Sequence, residues 1–367
     1  MQEGKLNNLS NLDFIKTIFI CNVGLGGFIF GSNLSKSVGK SGMIFVLVAG
    51  LAVYLSMLLV YKAMELNHFR SFDVVVEKAF GTTLGKVFIV EMIITLLIIT
   101  SIQLRVYALA AGTVLLERTA VELIMVTYLI IAIYLARGGS ESVVRFNQII
   151  AWIVIVPVVI LLVYCMFRGE IKNALPFVDL ERKEVLTGFK DGIEIFGAII
   201  LIYFFIPLLK DKENVPKVLT KSICLSTIYY VFLFFTFLTF FGAQKLEDFQ
   251  YPFISMVKNI NEVSSFFERL DSIIVTIFLL STITAFCNLF YFLSELIKKI
   301  FCFSYSGFAM TISIPLVYLL SRLPQNIAAV NAIRTLILPL LLAINLVIIP
   351  ILIILSSKKR GENHEKK

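Results

Sequence analysis

The stretch NVGLGGFIFGSN, Asn22 to Asn33, sits in the middle of the first long apolar run of the chain and carries Gly24, Gly26, Gly27 and Gly31. Glycine weakens a helix interior by about 1 kcal/mol relative to alanine. A membrane-crossing helix is expected here, so the run needs a reason. Two are open. Gly27 and Gly31, four apart, fit a close helix-packing motif. Alternatively, the helix breaks. The sequence offers no dinucleotide fingerprint, since no GxGxxG is completed and no strand precedes it.

The rest of the chain supplies the setting. Its 367 residues are 58% hydrophobic and 16% charged, with a mean hydropathy of +0.90. A soluble domain carries about 25% charged residues. Apolar runs of ~20 residues, enough to cross a ~30 Å hydrocarbon core, recur throughout. The chain reads as an all-α integral membrane protein with ten transmembrane helices, at roughly 12–34, 41–62, 84–113, 119–136, 146–167, 187–209, 217–242, 270–298, 305–322 and 332–356. One bundle, 1–358, absorbs nearly everything, leaving a polar tail at 359–367 that is expected to be unstructured and drawn to anionic lipid. The net charge of +8 fits basic loops between spans better than nucleic-acid binding, and the Lys/Arg excess places both termini in the cytoplasm. No cleavable signal pattern opens the chain. Cys21, Cys165, Cys224, Cys287 and Cys302 form no CxxC pair, and His68 and His364 are too few for a metal cluster, so neither a disulfide framework nor a metal site is expected. No cofactor is implied.

Two loops read as structured: Asn67 to Gly81 as an amphipathic segment on the inner face, and Tyr251 to Asp271 as an outer segment dipping toward the bundle.

The sixth span answers the first. DGIEIFGAIILIYF, Asp191 to Phe204, is another Gly-interrupted run, with Gly192 and Gly197. Gly24 and Gly197 lie at similar depths, so the chain divides into five spans plus five, about 12–167 and 187–356, each half opening with a weakened helix. Interrupted helices at corresponding positions of two halves point to a binding site in an inverted-repeat transporter. A break in lipid leaves N–H and C=O groups without partners, at several kcal/mol each. Protein, water or a ligand must satisfy them. Half-helix N-termini hold a carboxylate and exposed carbonyls hold an ammonium, and an α-amino acid presents both.

Intramembrane charge marks function. Glu194 beside the proposed sixth-span break either lines a pocket or is a helix-end carboxylate in outer-side water. Arg105 and Tyr107 of span three either face the pocket or, for Arg105, pair elsewhere. Ser281 and Thr282 are adjacent hydroxyls that suit a hard cation, or else bond their own helix backbone. Thr284, Asn288 and Tyr291 continue that polar content. No catalytic constellation is present: there is no Ser–His pair in reach, no metal set and no phosphate loop. The chain is not expected to be an enzyme.

This layout resembles the amino acid–polyamine–organocation transporter superfamily, with its LeuT-like 5+5 inverted repeat and broken helices 1 and 6. Tyr251-Pro252, followed by FFERLD at Phe266 to Asp271, is similar to the signature of the B subunits of spore germinant receptors. The opening GLGGFIFGSNLSKSVGKSG and the basic tail also fit. The resemblance implies a multi-pass protein of the spore inner membrane that binds a small germinant, often an amino acid, and works with an A subunit and a C lipoprotein subunit. Carried over by motif, the ligand site comprises Gly24, Gly26 and Gly27 with Glu194, Phe196, Gly197 and Ala198. Tyr107, Thr282 and Thr284 join by position, and Ser281 with Thr282 form a possible cation site. Span five lacks the lysine used by some proton-coupled relatives. An ion-coupled amino acid transporter is the rival reading.

Overall fold

The computed structural model describes residues 9–27, 30–175, 185–261, 270–324 and 326–365. Helices account for nearly all of them, because a chain in lipid must satisfy its backbone groups within each segment. In order they are α1 (Asn11–Gly26), α2 (Phe30–Val38), α3 (Gly42–Glu65), α4 (Phe72–Phe80), α5 (Thr82–Val114), α6 (Val121–Arg137), α7 (Gly139–Arg168) and α8 (Val185–Glu194). The second half continues with α9 (Ile202–Phe205), α10 (Val215–Phe241), α11 (Ala243–Asp248), α12 (Pro252–Asn261), α13 (Leu270–Ile300), α14 (Ser306–Arg322), α15 (Ile327–Ala343) and α16 (Ile349–Glu365). Short 3₁₀ turns at Gly197–Leu201 and Ile206–Leu208 flank α9, and a π turn at Ile344–Ile348 joins α15 to α16.

Six segments of the described residues are long and apolar enough to cross a bilayer alone: Phe30–Glu65, Thr82–Thr113, Gly139–Arg168, Val215–Phe241, Ile273–Ile300 and Ala328–Lys359. A seventh is the pair Val185–Glu194 and Gly197–Leu208, bent by 48°. Helices α6 and α14 have 17 residues each, the lower limit for a crossing. Where sequence and structure differ most, charge is the reason. Helix α7 starts at Gly139, ahead of the apolar run that begins at 146, because Glu141 and Arg145 pair one turn apart and carry the helix out of the apolar layer. Charge bounds a span without ending a helix. Likewise the tail is helical through Glu365 instead of unstructured. Its Ser, Lys, Arg and Glu residues are adequate helix formers that prolong an existing ladder.

The bundle is inside-out by the standard of a soluble domain. Leu51, Leu123, Ile160, Ile228 and Leu336 are exposed on its outer surface, while polar Asn22, Asn147, Thr282 and Asn288 are buried. Helix α1 packs against α7, α10 and α13 and against the turn at Gly197–Leu201, which puts the first interruption at the centre. Asn147 donates to Asn288 Oδ1 at 3.1 Å and to Thr17 Oγ1 at 3.4 Å, tying α7 and α13 to α1. Helix α4 lies within the amphipathic Asn67–Gly81 segment, and α12 within Tyr251–Asp271. The signature at Phe266 to Asp271 lies outside the described residues, save that α13 begins with Leu270 and Asp271.

Leu9, ahead of α1, is tied to the end of the bent pair. Leu9 N–H donates to Leu208 O at 2.8 Å and Leu9 O accepts from Lys210 N–H at 3.1 Å. Beside it, Lys212 Nζ donates to the Ile206 and Pro207 carbonyls at 2.7 Å each. Burial pushes Lys212 down to about 8 from the ordinary 10.5. Between those values the folded chain binds fewer protons at this site than the unfolded chain, so stability from Lys212 rises with pH across that window. Thermal unfolding of the purified protein from pH 7.5 to 10 is expected to show this rise, and Lys212→Met to remove it.

Candidate functional site

Two interrupted helices meet at the centre. Helix α1 stops at Gly26 and α2 resumes at Phe30. Helix α8 stops at Glu194, and Ile195–Phe196 turn the chain into the 3₁₀ segment. Near this end of α1, tyrosines of two other helices donate to its backbone carbonyls. Tyr107 Oη of α5 donates to Gly24 O at 3.0 Å, and Tyr230 Oη of α10 donates to Asn22 O at 2.6 Å.

The glycines allow this convergence by letting backbones touch. A Cβ at Gly24 would fall on the Ser281 carbonyl of α13. Gly26 faces the Tyr230 hydroxyl and the Ile195 carbonyl at the sixth-span break, and Gly27 faces the Phe278 ring. Gly197 touches Leu25, and Phe196 meets the Tyr230 ring edge-on at 5.7 Å. Ala198 is buried in the same turn. The structure therefore brings Gly24, Gly26, Gly27, Tyr107, Phe196 and Gly197 together.

Glu194 has a partner that sequence reading missed. It forms an ion pair with Arg334 of α15, with the two side chains 4% and 3% exposed. Asp191, one turn earlier, accepts from the Ser37 hydroxyl. Arg334 sits at the edge of the last apolar run, where a charge reads as a loop flank. A glutamate and an arginine at two span edges were the available signal.

The hydroxyls of α13 are turned elsewhere. Ser281 Oγ donates to Phe278 O at 2.6 Å, Thr282 Oγ1 to Leu279 O at 2.7 Å and Thr284 Oγ1 to Leu280 O at 2.8 Å. Thr282 also meets the Tyr128 hydroxyl of α6 at 2.9 Å. Tyr128 stacks on Tyr107 with ring centroids 6.0 Å apart. The Thr282 hydroxyl is thus linked to the α1 break through two rings, Tyr128 and Tyr107. Arg105 of α5 points its Nη1 at Met125 Sδ, 3.9 Å away.

Two cavities are formed among the described residues. One of about 210 Å³ is lined by Phe72, Ser140, Tyr203, Pro207, Tyr291 and Lys299, with the Asp73–Lys299 ion pair at its wall. The other, about 300 Å³, lies between α5, α6 and α13 and is lined by Ala111, Leu123, Tyr128, Thr276 and Ile283. Neither is lined by a described residue of the break.

Because Tyr107 donates to the Gly24 carbonyl inside the bundle, Tyr107→Phe is expected to destabilise the bundle by about 0.5–1.5 kcal/mol. Tyr128→Phe should lose less, since Thr282 keeps its bond to Leu279 O. Thermal unfolding of both variants in one detergent checks the order.

A bundle with an apolar exterior and interrupted helices meeting at its centre has the architecture of a membrane transporter. Its fold is similar to that of Mhp1, a nucleobase-cation-symport-1 family transporter solved in a closed conformation with bromovinylhydantoin bound. The TM-score is 0.67 at 14% sequence identity, covering 89% of this chain and 74% of that one. The chain belongs to the spore germination protein (Spore_permease) family, whose pattern matches residues 8–330. Relatives include spore germination protein B2 of Bacillus subtilis (strain 168), 20% identical over 71% of this chain and 72% of that protein. Spore germination protein YndE of the same organism is 22% identical over 79% of this chain and 80% of its own.

Proposed function

We propose that this protein is the nutrient-sensing membrane subunit of a spore germinant receptor. It binds a small germinant, an amino acid, where the first and sixth spans are interrupted. It signals through an A subunit and a C lipoprotein subunit in the spore inner membrane, with ten spans in two inverted halves and both termini cytoplasmic. The role is not enzymatic. The observation that carries the reading is the paired interruption. Backbone carbonyls of α1, the turn at Ile195–Phe196 and a buried charge pair converge there, and the amide oxygen of Asn22 is buried without a hydrogen bond among the described residues. Lipid-embedded backbone is left open only where it serves a ligand, water or protein. The described residues around the break pack closely on one another, so ligand entry requires a second conformation. The ligand moves that equilibrium only by its differential affinity for the two states.

The rival, an ion-coupled amino acid transporter, draws on the fold it shares with a cation symporter and on the Ser281–Thr282 pair. Fold alone does not choose between them. Gly197 gives the first test. A Cβ there meets Leu25 Cδ2 at 3.4 Å, ordinary contact, so Gly197→Ala should preserve germination while Gly197→Trp abolishes it with the protein still inserted. A normal response from the tryptophan variant at wild-type abundance would count against the site.

A further inference from the structure

Glu194 is the last residue of α8, where the helix dipole disfavours an anion. A buried ion pair is often no more stabilising than an apolar pair of the same shape. Stability alone is thus a weak reason for Glu194 and Arg334 to be here. The pair meets through Arg334 Nε and Glu194 Oε1, and among the described residues neither terminal amino group of Arg334 makes a hydrogen bond. Asp191, on the same helix, and Tyr107, which holds the Gly24 carbonyl, are both within electrostatic reach of the guanidinium. One carboxyl group meets the guanidinium and a second lies within its electrostatic reach. That arrangement repels a simple anion and accepts a molecule that brings an ammonium along with its carboxylate.

We infer that Arg334 and Glu194 read the two charged ends of an α-amino acid: the free fork of Arg334 takes the carboxylate, and Glu194 takes the ammonium. This rests on the proposed amino acid site and names the side chains that give it specificity. A planar guanidinium with two parallel donors matches a carboxylate bidentately, which a lysine ammonium does not. The ligand's head-to-tail dipole opposes that of the pair, so no unpaired charge is buried on binding.

The test uses the full-length protein in lipid nanodiscs and the twenty common amino acids, each assayed alone by calorimetry. For the amino acid that binds, its methyl ester and its des-amino acid are titrated alongside. Three proteins are compared: wild type, Glu194→Gln/Arg334→Gln, and Arg334→Lys, which keeps the pair and hence the fold. Loss of a desolvated charge contact weakens binding by about 100-fold. The expected result is that both variants lose about that factor for the amino acid, and that Arg334→Lys binds the methyl ester as wild type does. Wild type binding the ester or the des-amino acid within threefold of the parent would overturn the inference. So would folded variants that keep parent affinity; the pair would then be a staple between α8 and α15, and the amino acid site would stand. Binding of none of the twenty amino acids to wild type would remove both.

Discussion

Arg334→Met is expected to lower the unfolding free energy by about 3–5 kcal/mol, because it leaves the Glu194 carboxylate buried without its partner. That is a large share of the ~5–15 kcal/mol that holds a folded chain together. The pair is almost fully shielded, so solvent does not step in as it would at a surface bridge. Removing both charges is different. Glu194→Gln/Arg334→Gln should regain most of the loss, since two amides of similar shape bond each other without a charge to desolvate. Thermal unfolding in one detergent, wild type against single and double variants, measures the coupling directly. A single variant as stable as wild type would mean that the two groups do not meet in the folded protein.

Gly24→Val carries the second large effect. The obstacle is backbone, the Ser281 carbonyl of α13, which cannot rotate aside as a side chain does. Helices α1 and α13 must part, at about 1–3 kcal/mol for overpacking, and the Tyr107 bond to Gly24 O is strained with them. Gly197→Ala, at the other break, meets only the end of a leucine side chain and should be close to neutral. The contrast separates glycine needed for close approach from glycine in open packing. A chain carrying Gly24→Val that unfolds at the wild-type temperature would show that α1 and α13 do not pack as described.

The parts of this fold that sequence exposes are those where one residue type has one physical meaning. Runs of apolar residues bounded by charge show an all-helical membrane chain and place many helix ends within a few residues, but not the start of α7 or the end of α16. Gly24 and Gly197 stood out because glycine is expensive in a helix, and Glu194 because charge is expensive in lipid. What stayed hidden depends on which helices are neighbours. Tyr230 is one tyrosine among 13, and nothing along the chain marks it as the donor to Asn22 O, 208 residues away. Arg334 reads as a span flank until α15 is packed against α8. The hydroxyls of Ser281 and Thr282 have a second partner class always within reach, their own helix carbonyls, and periodicity cannot say which they take.

The account turns on whether the paired break is a binding site that signals without a transport cycle. Purified protein in liposomes, given each common amino acid with and without a Na⁺ or H⁺ gradient, measures that most directly. Saturable binding, lost in Gly197→Trp, with no gradient-driven accumulation of label is the predicted result. Accumulation driven by either gradient would contradict it and make the protein a working transporter.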